Sequence, residues 1–168
     1  IAFPKKLSLY FSILNMLTRQ LINVPVHLGL EHYPNIYCGV AVFLLYPLYV
    51  MDKDINLCEK IGKSVLLLVF LTAFNLNIPN FIWHGFHYPN SLPCRQSFIY
   101  IFFLLTMCYE ALSHIKRMTS RQLGIAVWIS LGLLVLIEQV FAVDETYDFK
   151  AIYLSGAFIL VYAGLMIV

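Results

Sequence analysis

The chain has 168 residues, of which 61% are hydrophobic and 12% are charged, and its mean hydropathy is +0.80. Soluble domains carry about 25% charged residues, so this composition excludes an ordinary soluble domain and indicates an integral membrane protein. The net charge of +2 is small, and no basic cluster is interleaved with aromatic residues, which argues against nucleic-acid binding. The four cysteines form no CxxC pair, so the sequence predicts neither a zinc site nor a structural disulfide.

Residues 1–35 contain no apolar run long enough to cross a bilayer. Lys5 and Lys6 precede the stretch LSLYFSILNML, which predicts an interfacial or partly buried helix that ends near Asn23 and Pro25. No small-residue cleavage site follows this stretch, so it does not resemble a signal peptide. Because the chain opens without methionine and stops inside an apolar run, we expect it to be a piece of a longer protein.

Five apolar runs are predicted to be membrane-spanning helices, since a hydrocarbon core of about 30 Å requires roughly 20 apolar residues of helix. They are residues 36–51, 64–76, 97–112, 123–143 and 151–168. The first run contains Pro47, which predicts a kink. The second run is short, but Lys60 and Lys63 before it can snorkel to the interface. The predicted fold class is therefore all-α, a polytopic transmembrane helix bundle in which residues 1–168 belong to one domain.

The distribution of lysine and arginine predicts the orientation of these spans. Residues 52–63 and 113–122 each contain three such residues, whereas residues 77–96 and 144–150 each contain one. Basic residues accumulate in short cytoplasmic loops. The first two segments are therefore predicted to be cytoplasmic, and the other two to lie outside together with residues 1–35.

The outer loop of residues 77–96 collects polar side chains directly before the third span. Arg95 stands at the mouth of this span, where a guanidinium can bind a phosphate bidentately or serve as an interfacial anchor. His84 and His87 are three residues apart, a spacing that on a helix gives a metal pair or an acid/base couple, but Gly85 argues against a regular helix there. Without a third ligand, hydrogen bonding to a hydroxylated ligand or to loop carbonyl groups is favoured over metal binding.

Aromatic residues are interleaved with these polar groups. Trp83, Phe86 and Tyr88 can stack on the apolar face of a sugar while neighbouring donors bind its hydroxyls. Aromatic belts at membrane interfaces have the same composition, so the residues leave both interpretations open.

Glu138 interrupts the apolar run of the fourth span, where a carboxylate needs a partner, water or a proton. It either faces a polar cavity shared with the outer loop or lies at the interface with its carboxylate in water. Glu110, near the cytoplasmic end of the third span, is expected to neutralise Lys116 and Arg117. His114 in the same loop is expected to be solvated.

A further polar cluster precedes the first span. His27, Glu31 and His32 form an HxxxEH pattern, which can bind a metal, although a turn with interfacial polar residues explains it equally well.

Two stretches of the sequence resemble a known family. They are HYPNIYCGVAVFLLYPLY, residues 32–49, and FIWHGFHYPNSLPCRQSFIYIFFLL, residues 81–105. They are similar to two linked stretches of the bacterial YfhO-like membrane proteins, in which PNIY-x-G opens one span and WHGF-x-x-PN-x-x-P-x-R-x-SF opens another two spans later. The resemblance covers residues 20–115 by motif, order and spacing, and the rest by hydropathy. Cys94 and Gln96 stand where the family pattern leads us to expect aromatic residues, a departure that bears on fine specificity.

The resemblance implies a large polytopic protein of the glycosyltransferase-C type, linked to sugar decoration of teichoic acids in the envelope of Gram-positive bacteria. Such enzymes take a sugar from a polyprenyl-phosphate carrier at the outer face of the membrane. Arg95 is then expected to bind the carrier phosphate. The implied substrate-binding residues are Trp83, His84, His87, Asn90, Arg95 and Glu138.

The catalytic base of such an enzyme is expected on an acidic outer loop that lies outside this sequence, so the catalytic residues remain unknown. No cofactor is identified, and the need for a divalent metal stays open. Two other functions also stay open: a transporter or flippase for lipid-linked sugars, with Glu138 on its translocation path, and a scaffold for an envelope synthesis complex. An acidic outer loop in the full-length chain favours transfer, and its absence favours transport.

The predicted orientation is tested by labelling intact cells with a membrane-impermeant thiol reagent. In a full-length protein freed of native cysteines, Ser91→Cys should be labelled and Ser120→Cys should not, because the two lie in loops predicted on opposite sides. Labelling of Ser120→Cys but not of Ser91→Cys would overturn the topology.

Overall fold

The computed structural model describes residues 3–26, 33–88, 94–141 and 148–167. Within these ranges the chain forms seven α-helices and no β-strand, so the predicted all-α class is confirmed for the described residues. The helices are α1 (Ile13–Thr18), α2 (Ala41–Met51), α3 (Leu57–Asn75), α4 (Asn77–Trp83), α5 (Ser97–Ser113), α6 (Ser120–Phe141) and α7 (Lys150–Met166).

All five apolar runs of the sequence coincide with helices, namely α2, α3, α5, α6 and α7. Within the described residues, Ser120–Gln139 of α6 is the one segment long and apolar enough to cross a bilayer by length and composition. Helices α2, α5 and α7 are apolar but shorter, and the first two turns of α3 carry Glu59, Lys60 and Lys63. Five membrane crossings therefore stay a prediction.

Helix α2 is shorter than its apolar run. Gly39 has a φ of +104°, a backbone conformation that side chains disfavour, and the helix begins only at Ala41. Residues 36–40, predicted as the start of the first span, are not helical. The 11 residues of α2 correspond to about 16 Å of helix, roughly half of a hydrocarbon core.

Helices α3 and α6 begin at side-chain caps. The Asn56 side chain accepts a hydrogen bond from the backbone N–H of Cys58 at 2.9 Å, which starts α3 well before the apolar run at residue 64. At the start of α6, the N–H of Thr119 donates to Oε1 of Gln122 at 2.9 Å, and the N–H of Gln122 donates to Oγ1 of Thr119 at 3.2 Å. This reciprocal pair is a capping box.

Helix α2 packs between α5 and α6, and two hydrogen bonds set its register against α6. Oγ of Ser130 donates to the carbonyl oxygen of Phe43 at 2.7 Å, and Nε2 of Gln122 donates to that of Met51 at 2.9 Å. The two bonded residues of α2 are as far apart in sequence as the two bonded residues of α6, and they occur in the opposite order. The two helices therefore run antiparallel without a shift in register. Because α2 starts at Ala41, the last part of α6 extends beyond it, and α1 also packs against α6.

Ion pairs join the two loops that the sequence assigns to the cytoplasm, at what we call the inner end of the bundle. Oδ2 of Asp52 lies 2.7 Å from Nδ1 of His114, and Oδ2 of Asp54 lies 2.7 Å from Nη1 of Arg117. The two segments predicted to share one side of the membrane therefore meet. His114 contacts a buried carboxylate, so the expectation that it is merely solvated was wrong.

Glu110 contacts Lys63 at 2.5 Å and not Lys116 or Arg117, so the predicted neutralisation of the basic loop was wrong. Lys63 also contacts Glu59 at 2.7 Å, one helical turn earlier. The reason is that α3 and α5 pack side by side, which brings Lys63 to the last turn of α5.

The opposite end, which we call the outer end, is covered by the N-terminal segment. The N–H of Ser8 donates to Oδ1 of Asn77, and the N–H of Tyr10 donates to the carbonyl oxygen of Asn75, both at 2.9 Å. Residues 8–11 therefore lie along the junction of α3 and α4 and are not part of a helix. The predicted interfacial helix is reduced to the six residues of α1, but its segment lies at the same end as residues 77–88, as predicted.

The inner end yields a prediction about stability. The side chain of Asp52 is 5% exposed and that of Asp54 is 46% exposed. The Asp52 side chain accepts two part-buried hydrogen bonds, one from the backbone N–H of Asp54 at 2.8 Å and one from Nδ1 of His114 at 2.7 Å. Asp52→Ala leaves both donors without this acceptor and should lower the free energy of unfolding by about 1–3 kcal/mol. Asp54→Ala breaks an exposed ion pair and should leave the free energy of unfolding nearly unchanged.

Thermal unfolding of the full-length protein in detergent, followed by circular dichroism, measures both effects. A double-mutant cycle with His114→Ala should show stronger coupling to Asp52, which bonds directly to the imidazole, than to Asp54. Equal shifts in melting temperature for the two aspartate variants would contradict the assignment.

Candidate functional site

The outer loop turns sharply directly after α4. His84 is the residue that follows the helix, and both Gly85 and Phe86 have positive φ values, of +69° and +63°. The N–H of Phe86 donates to the carbonyl oxygen of Phe81 at 2.9 Å, which closes the turn. The helix break expected at Gly85 is confirmed, so His84 and His87 do not share a helical face.

His84 is oriented by the helix that precedes it. Its Nδ1 lies 2.9 Å from the carbonyl oxygen of Asn80. A carbonyl oxygen only accepts, so Nδ1–H donates, and Nε2 of the neutral ring is left as an acceptor for a ligand hydroxyl. His87 lies three residues further along and is exposed.

Trp83 packs edge-on against Phe70 of α3, with ring centroids 5.1 Å apart. The indole remains 42% exposed and forms one wall of an open groove of about 460 Å³ between α3 and α4. Phe86 and Tyr88 pack against the buried ring of Phe81 and keep exposed faces. The turn therefore presents aromatic surface beside an imidazole, an arrangement that suits the mixed apolar and hydroxylated surface of a sugar.

Arg95 lies in a tight turn that leads into α5. Cys94 has a φ of +61°, its carbonyl oxygen accepts from the N–H of Ser97 at 2.9 Å, and its side chain is buried. Gln96 is also buried, and neither its Oε1 nor its Nε2 has a hydrogen-bond partner in the described structure. The side chain of Arg95 between them is exposed at the outer end, where it can reach a phosphate or lipid headgroup.

Other predicted site residues lie elsewhere or outside the described ranges. Glu138 lies in the last turns of α6 and is half-buried, and within the described residues no hydrogen bond or ion pair joins it to the outer turn. Asn90 lies outside the described residues, and so do His27, Glu31 and His32 of the HxxxEH pattern.

Candidate metal ligands come together at the inner end instead. In the part of the chain that the structure describes, the group of possible ligand atoms within 4.8 Å of one another comprises Asp52, Asp54 and His114. The hydrogen bond from Arg117 lowers the pKa of Asp54, which stabilises the ionised carboxylate of the pair. Both carboxylates are thus engaged by protein partners, so this group is better described as an ion-pair cluster.

An apolar groove of about 470 Å³ runs along the bundle between α2, α3, α5 and α6. Nε2 of Gln20 donates to the hydroxyl of Tyr100 at 2.6 Å, and the hydroxyl of Tyr46 donates to Oγ of Ser64 at 3.1 Å. All four residues line the groove. Its few polar groups therefore bond to one another and leave the walls suited to hydrocarbon.

Arg19 is the functional candidate that the sequence interpretation missed. It is the only lysine or arginine between Lys6 and Lys53, and it is 4% exposed. Its isolation in an apolar segment is the signal that could have singled it out, because a lone cation among apolar residues requires a specific environment.

The chain was compared with protein-family models, curated proteins and solved structures. The family model described as "Bacterial membrane protein YfhO" matches residues 4–168. Curated proteins and solved structures gave no match.

The turn before α5 yields a prediction about thiol reactivity. Burial raises the pKa of Cys94 to about 12, whereas Cys58 is exposed. Since the thiolate is the reactive form, Cys94 should react with iodoacetamide at pH 8 at least about 100-fold more slowly than Cys58.

The comparison uses two full-length proteins purified in detergent. One retains Cys94 as its single cysteine, and the other retains Cys58. Unfolding in sodium dodecyl sulfate should equalise the two rates, which controls for intrinsic reactivity. Rapid labelling of Cys94 in the folded protein would contradict the burial of this turn.

Proposed function

The chain belongs to the family of the bacterial membrane protein YfhO, and on this premise we propose that it is part of a membrane glycosyltransferase. The enzyme moves a sugar from a polyprenyl-phosphate carrier to a cell-envelope polymer such as lipoteichoic acid, at the outer face of the bacterial membrane. The observation that carries the proposal is the family match over residues 4–168, because the family is associated with glycosyltransferase-like membrane proteins.

The geometry of the outer turn supports this proposal. Trp83 offers an exposed indole face for stacking on a sugar ring. Nε2 of His84 is left as an acceptor, since Nδ1 bonds to the helix, and His87 is exposed beside it. Asn90 is assigned to the same site from the sequence alone.

Arg95 is assigned to the phosphate of the carrier. A planar guanidinium forms two parallel bonds to phosphate oxygens and stabilises the negative charge that develops on the leaving phosphate. Arg95 is exposed directly before α5, at the end of the bundle where the proposal places the membrane surface. The catalytic base is assigned to a part of the full-length protein outside this chain.

A transporter for lipid-linked sugars is the second candidate, and the observation that favours it is Glu138. A half-buried carboxylate in the apolar helix α6 is typical of a polar path through a membrane. In the transferase the same carboxylate lines the substrate cavity, so the two functions differ in whether a glycosidic bond is made.

The proposed role of Arg95 is tested in cells that carry the full-length protein with Arg95→Lys. Lysine keeps the charge but loses the planar fork, so sugar on lipoteichoic acid should fall at least about tenfold, since removing one partner of such a contact costs about 2–5 kcal/mol. Arg121→Lys, an exposed substitution at the inner end, is the matched control and should leave glycosylation unchanged. Membrane abundance is measured for each variant, and near-normal glycosylation by Arg95→Lys leaves this residue as an interfacial anchor.

Solubilised protein separates transfer from transport. Full-length enzyme in detergent is incubated with purified lipoteichoic acid and polyprenyl phosphates that carry glucose, galactose or N-acetylglucosamine. A transferase forms the glycosylated product without a sealed membrane, whereas a transporter does not. Absence of product with all three donors, from protein that restores glycosylation in cells, would refute the transferase.

A further inference from the structure

Arg19 is a buried cation at the outer end whose hydrogen bonds all go to neutral acceptors. Its Nε donates to the carbonyl oxygen of Pro34 at 3.2 Å. Its Nη2 donates to the carbonyl oxygen of Pro25 at 2.6 Å and to Oδ1 of Asn35 at 3.1 Å. Carbonyl and amide oxygens carry only partial charge, so these contacts orient the guanidinium without neutralising it.

The Nη1 edge of the Arg19 guanidinium makes no hydrogen bond with the described residues. Nη1 is buried and has no hydrogen-bond partner among the described residues, and the ring of Tyr33 lies 5.9 Å from the guanidinium carbon. A buried charge with an unused donor is unfavourable unless an anion completes its environment. The Nη1 edge is therefore a position for an oxyanion.

Carboxylates of the described residues do not supply this anion. Asp52, Asp54 and Glu110 bind partners at the inner end. Within the described ranges, the ion pairs of the protein do not include Arg19. The guanidinium is held by hydrogen bonds to residue 25 and to residues 34–35, and its counter-charge must come from elsewhere.

We propose that Arg19 is a phosphate-binding residue, with the Nη1 edge of its guanidinium taking an oxygen of a phosphate ester at the outer end of the bundle. Phosphate suits this edge because its oxygens accept charge-assisted bonds from guanidinium N–H groups. The proposal deepens the proposed function, and the identity of the phosphate as that of the lipid carrier rests on that function. A phospholipid headgroup and free phosphate share the same chemistry.

The enclosure of Nη1 has a kinetic consequence. Because the atom is buried in this structure, a phosphate reaches it only after a local opening of the surrounding chain. Association should therefore be slower than for a preformed surface site.

Binding to the purified full-length protein in detergent tests the proposal, with polyprenyl phosphate, phosphatidylglycerol and inorganic phosphate as probes. Arg19→Gln should weaken the binding of polyprenyl phosphate at least about tenfold. The binding of uncharged polyprenol should not change, because the substitution removes only the phosphate contact. Arg19→Lys should weaken the binding of polyprenyl phosphate less than Arg19→Gln does, because lysine keeps the positive charge. The control Arg121→Gln, an exposed change at the inner end, should leave all probes unchanged.

The arms of the experiment identify the source of the phosphate. A loss confined to polyprenyl phosphate assigns the lipid carrier, an equal loss for phosphatidylglycerol assigns lipid phosphate in general, and a loss for inorganic phosphate assigns the free anion. Unchanged binding of all three probes by Arg19→Gln with a wild-type melting temperature overturns the proposal. If Arg19→Gln does not fold, wild-type affinity of Arg19→Lys for these probes overturns it instead.

An internal ion pair is distinguished by Glu31→Gln. Equal, non-additive losses of stability in Arg19→Gln and Glu31→Gln, with no loss of phosphate binding, would identify Glu31 as the counter-ion and overturn the proposal. A failure of sugar transfer with phosphate binding still dependent on Arg19 removes only the proposed glycosyltransferase.

Discussion

The architecture depends on the short length of α2. This helix packs between α5 and α6, yet it begins only at Ala41 because Gly39 turns the chain with a positive φ. A helix of about 16 Å cannot line the whole depth of the bundle. The outer part of α6 therefore packs against other chain segments, among them α1. The burial of Arg19 follows from this arrangement, since it directly follows α1 and is held between the carbonyl groups of Pro25 and Pro34.

Charged side chains have different kinds of partner at the two ends of the bundle. At the inner end each of three carboxylates has a cationic or imidazole partner within 2.7 Å, which are the pairs of Asp52, Asp54 and Glu110. These contacts join loops that are distant in sequence, and they hold the helices together at the inner end. At the outer end Arg19 makes its hydrogen bonds to neutral acceptors. The contrast suits an end that stabilises the fold and an end that receives an anionic ligand.

Our proposals place sugar and phosphate binding at the same end of the protein for a physical reason. A lipid-linked sugar places its hydrocarbon tail in the bilayer and its phosphate at the interface, so its binding site must combine apolar and polar surfaces at that depth. In the proposed site, Trp83 supplies an exposed aromatic surface and His84 an oriented polar group. Arg95 is an exposed cation of this end, and Arg19 is a buried one. The roles of the two arginines can be measured separately: substitutions of Arg95 are assayed by sugar transfer, and substitutions of Arg19 by phosphate binding.

Several local features were predictable because they depend on neighbouring residues in sequence. The break at Gly85 follows from the freedom of glycine to adopt positive φ. The five apolar runs became helices because backbone groups in apolar surroundings must bond to one another. Helix lengths were predicted less well, since Asn56 extends α3 into a polar stretch and Gly39 shortens α2, and hydropathy records neither effect.

The sequence by itself determined the all-α class, the family and the assignment of charged loops to two ends, because composition, motif and charge are properties of the chain without its fold. Only the tertiary structure decided the partners of individual charges. Glu110 pairs with Lys63 because two helices pack side by side, although Lys116 is closer in sequence. Arg19 is buried for the same kind of reason: its environment is built from residues that lie 6 to 16 positions away, and long-range packing, which no local pattern encodes, places them around it.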